Sequence, residues 1–210
     1  MSTMKTIAAI AQKGGVGKTT LATHLAVQAT LDGARVALID TDAQGSTAQW
    51  GMSRREEREA ADPTVIIGAE ALEDILEACR DEGFDYVFVD TLPNIQKAAI
   101  EPARFADFSL IPTGPTVLDI RAIGETVEAV KQLGKPSGIV INQGRPSSNI
   151  NETAADVIAG YGLPICPHRV MRRAIISDSM IDGGTAMEHE PKGKAAAEIA
   201  GVWTWIQSQL

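Results

Sequence analysis

Aromatic residues make up only 4% of this 210-residue chain. A core must therefore rest on Ala, Val, Ile and Leu, a composition suited to a buried parallel sheet covered by helices. Cysteine is nearly absent. Cys79 and Cys166 lie far apart and form no CxxC, which argues against a disulfide framework and against a zinc site. They read as reduced, small apolar residues. No apolar run approaches the ~20 residues of a membrane-spanning helix. The first residues lack the apolar stretch of a signal peptide, so the expected compartment is the cytoplasm. Positive charge is also short, with 19 Lys and Arg against 27 Asp and Glu and a formal net charge of -8. A chain this acidic has no general attraction to nucleic acid or anionic membranes, and any DNA contact needs a local basic patch. The length fits one domain spanning 1–210.

What is present is an alternation of short apolar runs and helical spacings. Strands are predicted at Met4 to Ala11, Val36 to Ile39, Val65 to Ile67, Tyr86 to Val89, Phe108 to Ile111, Gly138 to Ile141 and Leu163 to Ile165. Helices are predicted over Thr19 to Leu31, Ala69 to Arg80, Val117 to Leu133, Ile150 to Ala159 and Lys194 to Ser208. The charge-dense stretch Ser53 to Asp62 reads as a solvated helix or loop. In the last helix Ile199, Val202, Trp203, Ile206 and Leu210 share one face and Trp205 falls elsewhere. That face lacks flanking basic residues, so it reads as core packing rather than a membrane anchor. The pattern predicts an α/β fold: a mostly parallel, twisted sheet with helices on both faces and right-handed crossovers. Polar residues cluster where strands end, which is where open α/β sheets bind ligands.

The strongest chemical signal is Lys13-Gly14-Gly15-Val16-Gly17-Lys18-Thr19-Thr20, placed between an apolar strand and a helix. Glycines let consecutive backbone N–H groups turn inward and cradle phosphate oxygens. The helix start adds its positive end. Lys18 is predicted to reach the β- and γ-phosphates, and the Thr19 hydroxyl to ligate Mg²⁺. Gln12 stands where the GxxxxGK[ST] pattern asks for its first glycine, so the match is to a variant form. Lys13, at the loop tip, serves either its own phosphates or, like an arginine finger in trans, those of a partner copy. Asp90 follows four residues, Tyr86 to Val89, and is expected to hold Mg²⁺ through a water. Asp40 and Asp42 end the second strand two positions apart. If the chain stays extended they face one side, one serving the metal shell and the other orienting the attacking water.

These residues resemble the ParA/MinD family of deviant Walker A ATPases. The likeness is carried by Lys13 to Thr20, by Asp40-Thr41-Asp42-Ala43-Gln44-Gly45-Ser46 and by Phe84 to Asp90. Weaker echoes are Pro112-Thr113 with Asp119, Ile139 to Asn142, and Glu190 to Ala196. The resemblance implies a P-loop NTPase fold, with ATP and Mg²⁺ as ligands and hydrolysis to ADP and phosphate. It implies an ATP-dependent homodimer in which Lys13 acts across the interface. Gly14, Gly15, Val16, Gly17, Lys18, Thr19 and Thr20 then hold nucleotide. Thr19, Asp40 and Asp90 serve the metal, Asp42 activates water, and Asn142, with Pro167 nearby, contacts adenine. Ala43 stands where the family usually has proline, and Leu92 precedes Pro93 where the family often has a second proline. Small ParA proteins coat nucleoid DNA non-specifically and are released by a ParB-like activator. Arg169, Arg172 and Arg173 are the candidate DNA patch, with Lys192 and Lys194 behind them. The alternatives are a MinD-like membrane-cycling ATPase and a metabolic enzyme on the same scaffold.

Overall fold

Six parallel strands form one sheet in the computed structural model, which describes residues 3–42, 44–68, 72–92, 97–146 and 149–210, with backbone only over 97–99. They are β1 (Lys5–Ala9), β2 (Val36–Asp40), β3 (Thr64–Ile67), β4 (Tyr86–Asp90), β5 (Phe108–Thr113) and β6 (Ser137–Ile141), in the order β3-β2-β4-β1-β5-β6. The helices are α1 (Lys18–Leu31), α2 (Ser46–Glu57), α3 (Leu72–Asp81), α4 (Lys97–Phe105), α5 (Val117–Ala122), α6 (Gly124–Leu133), α7 (Ile150–Ala159), α8 (Ala174–Asp178), α9 (Ala186–His189) and α10 (Lys194–Gln207).

Side chains alternate across a strand, and here both faces are apolar, so the sheet builds two cores. Ile7, Leu38, Phe88, Leu110 and Val140 face one layer with α1 and α10. Ala8, Ile39, Val87, Ile111 and Ile139 face the other, with α3, α6 and α7. This is the three-layer α/β architecture the sequence pattern predicts. Because all pairings are parallel, every strand ends at one edge, and the register aligns Ala9 with Asp90 and Asp40 with Asp90 there. The strand order turns at β1, whose neighbours are β4 and β5. The loop after β1 thus lies at the switch point of the sheet.

Several predicted elements are revised. The single helix over Val117 to Leu133 is two helices, broken at Ile123, whose N–H bonds back to the Ile120 carbonyl, an oxygen that also accepts the Tyr161 hydroxyl at 2.8 Å. Leu163 to Ile165 makes one parallel bridge, Ile139 to Ile165, rather than a strand. The predicted helix from Ala69 is described from Leu72, residues 69–71 lying outside the described chain. Trp205 is not idle. It packs edge-on against Phe108, with ring centroids 5.6 Å apart, over Gly138, where any Cβ would run into its ring.

The largest revision concerns Ser53 to Asp62. α2 runs through Glu57, and Arg54 is buried rather than solvated. Its guanidinium grips Glu188 with two bonds of 2.8 and 3.0 Å, donates to the carbonyls of Gly183 and Asp62, and lies 5.2 Å from the Trp50 ring. α2 is thereby anchored to the segment leading into α9.

α1 is tied to the same segment by His24. Its Nδ1 lies 2.8 Å from the Thr20 carbonyl, and its Nε2 accepts the Ala186 N–H at 3.2 Å, so the neutral Nδ1–H tautomer satisfies both. Burial pushes the pKa down to about 4, against the Thr20 carbonyl and the Glu188 carboxylate, which favour the cation. The folded state thus favours neutral His24. Stability is unaffected above the unfolded pKa of about 6.5 and falls as pH drops from there to about 4, by on the order of 3 kcal/mol in total. Denaturant unfolding across that window checks this: a His24→Gln chain is expected to lose most of the dependence.

Candidate functional site

The loop after β1 is built for close approach. Gly17 caps α1 in a left-handed conformation, φ 89°, with no side chain covering the helix start, so the first-turn N–H groups are open to an anion. A Cβ at Gly17 would also collide with Asn142 Nδ2, giving a second reason for glycine. Lys18 opens α1 and is buried. Burial pulls its pKa down, against the carboxylates of Asp90 and Asp42, which favour the charged form. A desolvated ammonium at a helix N-terminus is an anion site in waiting.

Asp90 ends β4 almost fully buried. Burial raises its pKa to about 6, while the Thr19 and Thr47 hydroxyls and Lys18 pull the other way and Asp40 adds to the rise. Its Oδ2 accepts the Thr47 hydroxyl at 2.8 Å. Its Oδ1 is buried without a hydrogen-bond partner among the described residues, and the Thr19 hydroxyl lies against the same carboxyl group. A buried, under-satisfied carboxylate oxygen next to a hydroxyl fits Mg²⁺. No group of three His, Cys, Asp or Glu residues placed to hold a metal occurs among the described residues. Thr47 was not singled out in the sequence, because nothing local marks a threonine inside α2 as the partner of a strand-end acid.

Asp40 has a different role from the one the sequence suggests. Its Oδ1 accepts the Asp42 N–H and its Oδ2 the Ala48 N–H, both at 2.9 Å. The chain turns at once rather than staying extended, and Asp40 holds the turn and the start of α2. Asp42 is left partly exposed, with one oxygen accepting the Gln44 N–H. Ala43 and Pro93, where the family pattern is broken or shifted, lie outside the described residues.

Lys13 is tethered. Its Nζ lies 2.5 Å from Asp119 Oδ1, and Asp119 also accepts the Thr116 hydroxyl at the start of α5. Burial raises the Asp119 pKa, but Lys13 and Thr116 outweigh it and hold the carboxyl below its usual range.

Beside the glycine loop opens a cavity of about 410 Å³, lined by Gly15, Gly17, Thr20, Asn142, Gln143, Met171, Arg172, Arg173, Ile176 and Ser177. Asn142 lines it, with its amide nitrogen bonded to the Val16 carbonyl at 2.7 Å. Pro167 is not part of it. It is exposed and borders a separate hollow with His168, Arg169 and Ala197. The 171–177 wall takes its place, because residues 170–172 are drawn toward the end of β6 by bonds to Gly144.

Residues 7–185 match the CobQ/CobB/MinD/ParA nucleotide binding domain. The chain belongs to this family. A relative, the maintenance of carboxysome distribution protein A of Halothiobacillus neapolitanus, is 29% identical over 92% of this chain and 91% of its own length. Two solved structures share the fold. The Cyanothece McdA–ATP complex matches at a TM-score of 0.78 with 18% identity, covering 100% of this chain and 97% of the other. The septum site-determining protein MinD of Pyrococcus horikoshii, in complex with Mg-ADP, matches at 0.76 with 17% identity, covering 97% and 96%. The chain thus carries a nucleotide binding domain of this family, and ATP with Mg²⁺ fits it.

In this family member the three candidate DNA arginines differ. Arg169 is paired with Glu152 at 2.5 Å, and Arg173 grips Glu198 on α10, also at 2.5 Å. Arg172 is exposed and makes no ion pair among the described residues. α10 buries Ile199, Val202, Trp203 and Ile206 in the core. Among the described residues no helix is long and apolar enough to cross a membrane.

Proposed function

We propose that this chain is an ATP-hydrolysing positioning protein of the ParA type. The observation that carries the reading is the division of labour between two nearby acids. Asp40 is locked onto backbone N–H groups, while Asp42 stands partly exposed near the buried Lys18. Lys18 and the loop N–H groups hold the β- and γ-phosphates. Thr19 and Asp90 hold Mg²⁺, which when bound neutralises phosphate charge. Asp42 orients the attacking water and accepts its proton. The cavity beside Asn142 and the 171–177 wall takes the nucleoside. Lys13, once freed from Asp119, reaches the nucleotide of a second copy, so that ATP joins two chains. The ATP-joined pair holds DNA non-specifically and an activator protein triggers release. The likeness to a carboxysome distribution protein favours a protein body over a DNA locus as the cargo. A membrane-cycling role finds no support in α10, whose apolar face is already buried.

The test uses Asp42→Ala, which is expected to bind ATP normally and slow turnover by roughly 10²-fold or more. With ATP, but not ADP, this protein should bind unrelated duplex DNA with an affinity that falls steeply with salt. Arg172→Ala should then weaken that binding. An ATP-joined pair that leaves DNA unbound at low salt would reject the nucleoid mechanism. Unchanged turnover would remove Asp42 from its role.

A further inference from the structure

The glycine loop is braced from the end of β6 by two neighbouring amides. Asn142 Nδ2 donates to the Val16 carbonyl at 2.7 Å, and Gln143 Nε2 donates to the Gly15 carbonyl at 2.8 Å. These carbonyls belong to consecutive peptide units. In a trans peptide the N–H points away from the C=O of the same plane. Holding the Gly15 oxygen therefore fixes the direction of the Val16 N–H, and holding the Val16 oxygen fixes that of the Gly17 N–H.

Gln143 does this from an unusual backbone. Its φ is +55°, in the left-handed region that residues other than Gly, Asn and Asp seldom adopt. Its side chain is exposed, so burial does not force it there. The turn is imposed by the next residue: the Gly144 N–H donates to the Val170 carbonyl at 3.0 Å, and the Arg172 N–H donates to the Gly144 carbonyl at 2.8 Å. Strained residues that the surroundings over-determine gather at ligand sites. Here the strain points an amide at the phosphate loop.

We infer that Gln143, together with Asn142, is a positioning residue for the phosphate cradle, holding two successive peptide planes so that their N–H groups face the anion. Asn142 thus acts on the loop itself, beyond the adenine contact that the family resemblance implies. The inference rests on the reading of Lys13 to Thr20 as the phosphate loop.

The experiment titrates ATP and inorganic tripolyphosphate, which has no base or ribose, against the unmodified chain, Gln143→Gly and Gln143→Asn, all with Mg²⁺. Glycine takes the left-handed backbone freely, and asparagine tolerates it but falls one methylene short of Gly15. Both variants should melt, without ligand, no lower than the unmodified chain. Each should bind ATP and tripolyphosphate more weakly by the same factor, about fivefold, the worth of one hydrogen bond. Affinities within about twofold of the unmodified chain for both ligands would overturn the inference. Weakening of ATP alone would also overturn it, since the amide would then serve the nucleoside. Lys18→Ala is run alongside. If it binds tripolyphosphate as tightly as the unmodified chain, the loop is not the phosphate site, and the underlying reading fails instead.

Discussion

Lys18→Ala is expected to lower ATP affinity by about 100-fold or more and to abolish turnover, while the unliganded chain melts near its original temperature. The ammonium would make charge-assisted bonds to phosphate oxygens, each worth about 1.5–3 kcal/mol, and two such bonds correspond to a hundredfold or more in affinity. Without nucleotide the same group is a burden. It is buried, and burial pulls its pKa down even with Asp90 and Asp42 near. Removing it relieves a desolvation cost and forfeits attraction to two carboxylates, terms that roughly offset each other. Calorimetric titration with ATP and Mg²⁺, paired with melting curves in the presence and absence of nucleotide, checks both halves. A variant that melts far lower without ligand would show that Lys18 holds the fold rather than the phosphate.

Arg54→Ala is expected to destabilise the chain by about 3–5 kcal/mol, enough to remove much of the stability of a domain this size. The loss is more than two hydrogen bonds to Glu188. Truncation strands a largely desolvated carboxylate that, among the described residues, keeps the Thr185 hydroxyl and a 3.8 Å approach from Arg58. It also leaves the Gly183 and Asp62 carbonyls without their donor. Arg54→Met combined with Glu188→Leu should recover most of the loss, because an apolar pair of similar volume carries no stranded charge. Denaturant midpoints of the two single variants and the pair measure this, and additive effects would count against a direct coupling of Arg54 and Glu188. α2 begins just after the Asp42 loop, so the damage should also loosen Asp42.

What could be read in the sequence was local. The strand–glycine loop–helix unit announces itself in Lys13 to Thr20, because its chemistry is contained in eight consecutive residues. Asp90 could be found because it directly follows an apolar run, and Asp42 because it lies three residues beyond the end of another. The sheet was legible from the spacing of short aliphatic runs. What could not be read depends on partners distant in the chain. Arg54 looks like one more charge in a polar stretch, and only the approach of Glu188, 134 residues later, makes it a core residue. Asp40 and Asp42 are indistinguishable by spacing, and the turn that separates their roles arises from bonds to Asp42 and Ala48 N–H groups. Pro167 was expected near the nucleoside from the family resemblance, whereas the bridge between Gly144 and Met171 brings the residues after it to the cavity. The brace at Gln143 needs a backbone angle that no side-chain pattern reveals.

The two cores of the sheet also differ optically. The chain has three tryptophans. Trp50 and Trp203 sit in the layer of α1 and α10, and Trp205 packs against it. The layer of α3, α6 and α7 has none. Trp203 donates its indole N–H to Asp32 at 2.9 Å, at the far end of the helix that Lys18 opens. Indole emission therefore watches one side of the molecule only, and reports on the phosphate-loop helix from its opposite end without any label. Loosening of the other side would pass unseen by fluorescence and would be detected only by a probe of the whole backbone, such as circular dichroism or amide exchange.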